Sequence, residues 1–208
     1  MTNRIVAIDG PVASGKGTLA KRVASFHSLP YLNTGALYRA VALHLLKISL
    51  GEPAGEGEVL AVLGDVDLSD LDNPDLYREE VSRLTSKIAV IPGVRQFLFG
   101  FQVDFAHQDG GAVLDGRDIG TVICPEADYK FFITASVEER ARRRHREMLL
   151  KDKNIDYNEI LTNLIERDKR DSGRSTSPLR KAEDAVEVDT TNMGIEEVAD
   201  YVLSLIKF

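Results

Sequence analysis

The chain has 208 residues, of which 43% are hydrophobic and 28% are charged, and this composition is typical of a globular protein with a substantial core. Its formal net charge of −7 argues against a protein that coats nucleic acid. No apolar stretch approaches the ~20 residues that span a bilayer, and the start of the chain lacks a signal-peptide pattern. The single cysteine, Cys124, excludes an internal disulfide and fits the reducing cytoplasm, where we expect the protein to work as a monomer.

Five short predicted strands alternate with helical patterns along the chain, at residues 5–8, 30–32, 112–114, 130–134 and 185–188. This alternation predicts an α/β fold with a parallel sheet flanked by helices. Helical spacing predicts three buried faces: Leu19, Val23 and Phe26; Leu37, Val41, Leu45 and Ile48; and Val94, Phe97, Leu98, Phe101 and Phe105.

The first predicted strand runs directly into a glycine-rich turn, which reads Gly10-Pro11-Val12-Ala13-Ser14-Gly15-Lys16-Gly17-Thr18. Glycines let consecutive N–H groups face a phosphate, the following helix adds its positive end, and Lys16 neutralises the outer phosphates. The match to G-x-x-x-x-G-K-[ST] is offset at one place, because Gly17 separates the lysine from the hydroxyl of Thr18. A turn without a ligand is the alternative. Since strand, spacing, lysine and hydroxyl all agree, we predict a nucleotide triphosphate site here.

A second charged turn, Asp115-Gly116-Arg117-Asp118, follows the predicted strand at 112–114. Ligands bind at the carboxyl ends of strands in open α/β sheets, so Asp115 is placed to hold Mg²⁺ through water, with Thr18 as the second metal candidate. Arg117 can grip a phosphate with two N–H groups, and Asp118 can accept a hydrogen bond from an exocyclic amine or a ribose hydroxyl. The alternative is an ordinary strand-ending turn with a surface ion pair.

The segment Asn33-Thr34-Gly35-Ala36-Leu37-Tyr38-Arg39 also leaves a predicted strand and opens a helix. We expect Thr34 to cap that helix, which is a structural role that leaves a substrate contact possible. Arg39 lies just over one turn into the helix, where it can point at a phosphate. Tyr38 either lines the same cleft or packs in the core.

Two further stretches of the chain are rich in charged residues. The helix after the fourth strand opens with Ser136-Val137-Glu138-Glu139, which has the form of a capping box. Further on, Arg167, Asp171 and Arg174 fall at i, i+4 and i+7 and share one face if that segment is helical. A solvated charged helix explains the same spacing. Because Gly173 and Pro178 follow, we also consider a charged flap that closes over phosphates.

Four segments of the chain together resemble the bacterial cytidylate kinases, within the wider group of nucleoside-monophosphate kinases: residues 10–18, 34–39, 115–121 and 166–171. The resemblance runs nearly from end to end, and the D-G-R-D-x-G-T element at 115–121 is its most specific part. It implies a single P-loop kinase domain over 1–208, with a core at about 1–49, 93–136 and 176–208. A monophosphate-binding insertion at about 50–92 and a lid at about 137–175 would complete it.

The same resemblance implies the reaction, in which ATP and CMP or dCMP give ADP and CDP or dCDP with Mg²⁺. It also implies roles for individual residues. Ser86, Arg95 and Asp118 would surround the cytosine; Arg39, Arg117 and Arg174 would hold the acceptor phosphate; Arg167 and Asp171 would hold the sugar hydroxyls; and Arg143 and Arg144 would reach the transferring phosphoryl group. The chain departs from the family near residues 60–80, which are short and acidic, and where Asn73-Pro74 discourages a strand. The monophosphate-binding domain of the family usually carries a small antiparallel sheet, and we therefore expect a reduced domain here.

The expected mechanism is in-line phosphoryl transfer by positioning and charge neutralisation, with Lys16, Arg117, Arg143 and Arg144 as the catalytic candidates. The acceptor phosphate is already anionic, so no strong general base is needed. Two alternatives stay open. One is another small-molecule kinase on the same core, specific for UMP, AMP or shikimate; the other is a nucleotide-dependent switch ATPase whose output is a protein contact.

Overall fold

The structure is a computed structural model that describes residues 4–50, 55–150 and 156–208. The chain divides into two compact units, the first formed by Met1–Leu32 and Ala106–Phe208 and the second by Asn33–Phe105. The predicted insertions at 50–92 and 137–175 include residues 51–54 and 151–155, which lie outside the described residues.

A five-stranded parallel sheet forms the framework that carries the phosphate loop. Its strands are β1 (Arg4–Asp9), β2 (Tyr31–Asn33), β3 (Gly111–Gly116), β4 (Tyr129–Thr134) and β5 (Val186–Asp189), in the order β2-β3-β1-β4-β5. Every residue of β1 after Arg4 is buried, as is typical of a central parallel strand covered on both faces. All five predicted strands and the fold class are therefore confirmed.

Helices α1 (Lys16–His27) and α8 (Ile195–Leu205) pack against the sheet of the first unit. Their apolar positions repeat every three to four residues, and the buried ones meet side chains of β1, β4 and β5 in one core. The predicted burial of Leu19 and Val23 is confirmed, but the prediction for Phe26 is wrong, since 68% of that residue is exposed. Phe26 lies one residue before the end of α1, where its ring contacts His27 edge-on and stays outside the core.

The charged segment between β4 and β5 forms two helices, α6 (Val137–Leu149) and α7 (Tyr157–Gly173). They pack together through a small apolar core of Ala141, Met148, Ile160 and Leu164. Only half of the predicted capping box forms: Ser136 Oγ accepts from the Glu139 N–H, whereas the Ser136 N–H donates to Thr191 Oγ1. The Glu139 carboxylate bonds to Arg143 instead, and this competing ion pair is why the box is incomplete.

The second unit is helical in its described residues. It contains α2 (Thr34–Lys47), α3 (Glu56–Ala61), α4 (Glu79–Ile88) and α5 (Pro92–Ala106, whose last residue clusters with the first unit), with 3₁₀ turns at Leu63–Asp65 and Pro74–Tyr77. No strand occurs among the described residues 55–92. Asn73 caps the turn at Pro74, because its side chain accepts from the Asp75 N–H.

Two predicted apolar faces of the second unit are only partly buried. Leu37, Val41 and Leu45 are buried, but Ile48 follows the end of α2 and is 42% exposed. In α5, Val94 and Leu98 are buried, whereas Phe97 and Phe101 are 38% and 37% exposed. The buried face repeats strictly every four residues and continues through Gln102 to Ala106, so the two phenylalanines lie at its margin. The aromatic stripe is therefore not the core that its spacing predicts.

Within the described ranges, no helix is both long enough and apolar enough to cross a bilayer.

The start of β3 supplies a test of this fold. A Cβ at Gly111 would lie 2.3 Å from the Arg4 carbonyl oxygen, and the residue has φ of +87°. We expect Gly111→Ala to lower the free energy of unfolding by about 3 kcal/mol or more, from the clash together with the backbone strain. Gly110→Ala is the matched control, because Gly110 has φ of +88° and its Cβ would meet no described atom within 4 Å. It should cost only about 1–2 kcal/mol. Equal losses in urea denaturation would contradict the close approach of β3 to Arg4.

Candidate active site

The phosphate loop connects β1 to α1 at the carboxyl edge of the sheet. Lys16 begins α1, and Gly15 stands before it in the left-handed region with φ of +89°. At the other end of the loop, a Cβ on Gly10 would lie 2.0 Å from the Ile133 carbonyl oxygen, so only glycine permits this approach to β4. Ser14 is buried, and its Oγ has no hydrogen-bond partner among the described residues. The loop thus presents a buried hydroxyl beside the helix start, as a phosphate site requires.

Side chains from outside the loop hold its carbonyl groups. Arg143 Nη1 and Thr190 Oγ1 each donate to the Ser14 carbonyl at 3.3 Å. Arg140 Nη1 donates to the Val12 carbonyl at 3.3 Å. These bonds fix the outward-facing carbonyls of the loop, and they leave its N–H groups available for an anion.

Arg140 also joins the loop to α7. It is buried, and it bonds to both carboxylate oxygens of Asp168, at 3.2 and 2.6 Å. A two-pronged pair of this kind fixes the orientation of both partners. The helix that carries Arg167 and Asp171 is therefore tied to the phosphate loop through a single guanidinium group.

Lys16 is buried in the loop, where its Nζ donates to the Pro11 carbonyl at 3.3 Å. Burial, together with the positive charges of Arg117 and Arg167, lowers its pKa to about 7, against the opposing effect of Asp115 and Asp171. A buried lysine crowded by arginines is electrostatically unsatisfied. A polyanion bound in the loop would relieve that repulsion.

Asp115 ends up beside the loop, as predicted. Its Oδ2 accepts a hydrogen bond from the Tyr31 hydroxyl at 3.1 Å and would lie 2.9 Å from a Cβ on Gly17, so a side chain at that position would displace the carboxylate. Burial raises the pKa of Asp115, while Lys16 and the Tyr31 hydroxyl oppose that rise. The carboxylate of Asp115 lies beside Gly17, whose neighbour in the chain is Thr18, and a carboxylate together with a hydroxyl is an oxygen donor set that fits Mg²⁺.

The described residues hold no group of three or more His, Cys, Asp or Glu side chains that could bind a metal ion by themselves. Magnesium in phosphoryl-transfer sites uses one or two protein oxygens together with phosphate oxygens and water, so Thr18 and Asp115 are a sufficient protein contribution.

The second charged turn and the end of α7 meet in two buried ion pairs. Arg117 Nε donates to Asp171 Oδ2 at 3.0 Å, and Arg174 Nη2 lies 3.8 Å from Asp118 Oδ1. Burial raises the pKa of Asp171, but Arg117, Arg167 and Arg174 together bring it below its ordinary value. These residues are neither a surface ion pair nor a solvated helix face, so both of those alternatives fail.

Asp9 is a buried carboxylate that the sequence analysis missed. Its two oxygens accept from the N–H groups of Ile119 and Gly120, at 2.9 and 2.8 Å. Burial raises its pKa from 3.8 to about 7, and the charge of Asp118 adds to that rise, while the two N–H bonds and Arg117 oppose it. The one available signal was an acidic residue at the end of an otherwise apolar strand. The role of Arg140 was also missed, because the residue lies in an arginine-rich stretch and has no signal of its own.

The candidate residues of the second unit form two local groups. Arg95 is buried, and its guanidinium lies 5.6 Å from the centre of the Tyr38 ring. Arg39 Nη1 donates to Ser82 Oγ at 2.6 Å and to the Leu76 carbonyl at 3.0 Å. Both arginines are thus pre-oriented by partners within their own unit, which lowers the entropy that a ligand contact would cost.

Three further candidates have local roles in the structure. Ser86 Oγ donates to the Arg83 carbonyl at 3.0 Å, and Arg144 forms an ion pair with Glu147 on its own helix at 2.8 Å. The prediction that Thr34 caps α2 is wrong, because the extended residue Asn33 takes the cap position and Thr34 is the first helical residue, buried.

Comparison with known proteins identifies the family. A sequence model described as cytidylate kinase matches residues 6–208. The chain is 45% identical to a cytidylate kinase of Xanthobacter autotrophicus over 98% of this chain and 97% of that protein. It is 46% identical to a cytidylate kinase of Bartonella quintana, over 97% and 94%.

The chain belongs to the cytidylate kinase family.

Membership of this family confirms the resemblance seen in the sequence and the expectation of an ATP-dependent nucleoside-monophosphate kinase. Among solved structures, an uncharacterized protein from Eubacterium ventriosum matches with a TM-score of 0.56 and 15% identity, over 98% of each chain. A Thermus thermophilus protein matches with a TM-score of 0.50 and 19% identity over both whole chains. At these identities the likeness supports the α/β fold alone.

The raised pKa of Asp9 predicts how stability varies with pH. The folded state holds the Asp9 proton more tightly than the unfolded chain, so this group stabilises the fold fully below pH 3.8 and loses that contribution as the pH rises through about 7. In Asp9→Asn the group cannot titrate. Between pH 4 and 7, we expect the free energy of unfolding of the wild type to fall relative to Asp9→Asn by at most about 1.4 kcal/mol per pH unit. Parallel curves in urea denaturation at pH 5, 6, 7 and 8 would contradict this.

Proposed function

We propose that the protein transfers the γ-phosphoryl group of ATP to CMP or dCMP, giving ADP and CDP or dCDP. The family membership supports the cytidine acceptor. The residue geometry supports phosphoryl transfer, because it brings a phosphate loop together with a cluster of arginines near the loop lysine.

One arrangement carries the proposal: Lys16 is buried at the start of α1 in the phosphate loop, and after burial itself the nearby charges of Arg117 and Arg167 also lower its pKa. Cations that repel one another in the ligand-free protein become favourable when phosphate groups lie between them. In a chain with a formal charge of −7, this local concentration of positive charge is best explained by a strongly anionic pair of substrates.

The proposed chemistry needs little proton transfer. The phosphate of a nucleoside monophosphate is already anionic near neutral pH and can attack in line, so the protein has to position it and neutralise charge. His27, His107 and His145 have partners away from the loop: Phe208, Glu126 and Tyr157. A mechanism without a histidine base agrees with that arrangement.

We assign the loop residues 10–18 to the ATP phosphates, with Lys16 on the outer ones. Mg²⁺, held by Thr18 and by Asp115 through water, would supply charge neutralisation for the phosphates that it binds. Arg117 and Arg174 would bind the acceptor phosphate, Arg167 and Asp171 the sugar hydroxyls, and Asp118 the cytosine amine. Arg143 supports the loop backbone and, with Arg144, would act on the transferring group when residues 137–175 close as a lid.

From the second unit we assign five further residues to CMP: Thr34, Tyr38, Arg39, Ser86 and Arg95. Residues 50–92 would form the monophosphate-binding insertion within one kinase domain. We also propose that the enzyme works as a cytoplasmic monomer on small-molecule substrates, without nucleic acid or membrane partners.

An acceptor panel tests the function. Release of ADP from ATP with Mg²⁺ should be fastest with CMP and dCMP, and at least about tenfold slower with UMP, AMP or shikimate, because Asp118 is suited to an amino-bearing pyrimidine. Chelation of the metal with EDTA should abolish the reaction with every acceptor.

Two outcomes would overturn the assignment. A clear preference for UMP, AMP or shikimate would make the chain a different small-molecule kinase. ATP hydrolysis that no acceptor accelerates, with no transfer to any monophosphate, would favour a switch ATPase.

Replacement of the loop lysine tests the mechanism. Lys16→Ala should lower kcat by about 10²-fold or more, because the main positive charge on the outer phosphates is lost. Lys181→Ala is the control, since Lys181 is an exposed lysine whose ion pair with Glu187 lies on the surface. A folded Lys16→Ala protein, checked by circular dichroism, that keeps wild-type turnover would refute the proposed role.

A further inference from the structure

Asp9 contacts both ends of the segment that carries Arg117 and Asp118. In the sheet, its backbone pairs with Gly116, the last residue before that segment. Its carboxylate bonds to the N–H groups of Ile119 and Gly120, the first two residues after it. Only Arg117 and Asp118 lie between these fixed points. One residue of β1 therefore determines where the two side chains leave the backbone.

The helical turn at Ile119–Ile123 explains why the carboxylate of Asp9 is needed. Asp118 occupies the N-cap position of this turn, with φ of −143°, and an aspartate there ordinarily bonds to the N–H groups of its own helix. In this structure Asp118 makes no such bond. Asp9, which lies 111 residues before Gly120, accepts from the Gly120 N–H that an N-cap side chain would reach, and it also accepts from the Ile119 N–H. The Asp118 carboxylate faces Arg174 instead, at 3.8 Å.

We propose that Asp9 is a positioning residue for the acceptor site: by capping the turn from β1, it fixes Arg117 and keeps the Asp118 carboxylate out of the cap and directed at CMP. This inference rests on the proposed function, because it takes Asp118 and Arg117 as acceptor contacts. Asp9 itself touches no substrate.

The proposal predicts different effects on the KM values of the two substrates. Asp9 also precedes Gly10, so a general disturbance of the phosphate loop would raise the KM for ATP. Loss of the cap alone acts on Arg117 and Asp118, and it should raise the KM for CMP while leaving the KM for ATP almost unchanged. It should also weaken the discrimination between CMP and UMP, because Asp118 would then be free to turn back and cap its own helix.

The experiment compares Asp9→Asn and Asp9→Ala with a matched control. The asparagine keeps the size of the side chain but can accept only one of the two N–H groups, whereas alanine accepts neither. Asp128→Asn is the control: Asp128 also accepts a backbone N–H of β1, that of Ile5 at 2.8 Å, at the opposite end of the strand. Each variant is assayed for kcat, for the KM values of CMP and ATP, and for the CMP/UMP selectivity.

For Asp9→Asn we expect the KM for CMP to rise about tenfold and the selectivity to fall, since one of the two N–H bonds that hold the turn is lost. The KM for ATP should change by less than about threefold, a difference within the usual context dependence of one hydrogen bond. Asp128→Asn should match the wild type in every parameter. Equal rises in both KM values, or none, would overturn the proposal.

A second measurement is independent of activity. The amides of Ile119 and Gly120 should resist hydrogen exchange in the wild-type protein and should exchange at least about tenfold faster in either Asp9 variant. Fast exchange of both amides in the wild type would refute the cap even if no variant folds. If the wild-type protein does not prefer CMP in the acceptor panel, the proposed function fails on its own, and the exchange result still decides whether Asp9 holds the turn.

Discussion

The rest of the site depends on one constraint, which is that the carbonyl groups of the phosphate loop need hydrogen-bond donors. A loop that offers its N–H groups to phosphate cannot use them to bond its own carbonyls, so those acceptors need donors from elsewhere. Arg140 and Arg143 supply them at Val12 and Ser14, and Thr190 adds a hydroxyl. Because both arginines belong to α6, the position of that helix and the conformation of the loop are linked. The fold therefore holds the ligand-binding conformation of the loop before any ligand arrives.

Acidic and basic side chains are closely grouped in the same region. Asp171 is shared by Arg117 and neighbouring arginines, and Asp118 lies 3.8 Å from Arg174. Lys16 has a lowered pKa despite two nearby carboxylates. Burying charged groups costs folding free energy. Such perturbed groups are typical of sites that bind a charged ligand.

Local pattern was sufficient for the sheet and for the turn that follows β1. The alternation of short strands with helical patterns indicated all five strands, and the spacing of glycines, Lys16 and Thr18 indicated the loop, because these signals lie within a few neighbouring residues. Predictions failed where several partners compete for one side chain or where the partner is distant in the sequence. Glu139 prefers Arg143 to the capping box, and the burial of α5 depends on which face its neighbours cover, so Phe97 stays partly exposed. Asp9 could not be assigned from sequence, since its partners lie 110 and 111 residues away.

Because Asp9 caps the turn at Ile119–Ile123, the carboxylate of Asp118 is not needed for that cap. An aspartate that caps its own helix is held by local backbone geometry, and its carboxylate oxygens accept hydrogen bonds from N–H groups of that helix. When a strand residue takes over that bond, the carboxylate of the adjacent aspartate can be directed at other partners. The substitution has a thermodynamic cost, since burial raises the pKa of Asp9 to about 7 and its ionised form is disfavoured. Two N–H bonds of 2.8–2.9 Å offset part of this cost. We attribute the rest of this burial cost to keeping the carboxylate of Asp118 out of the cap position.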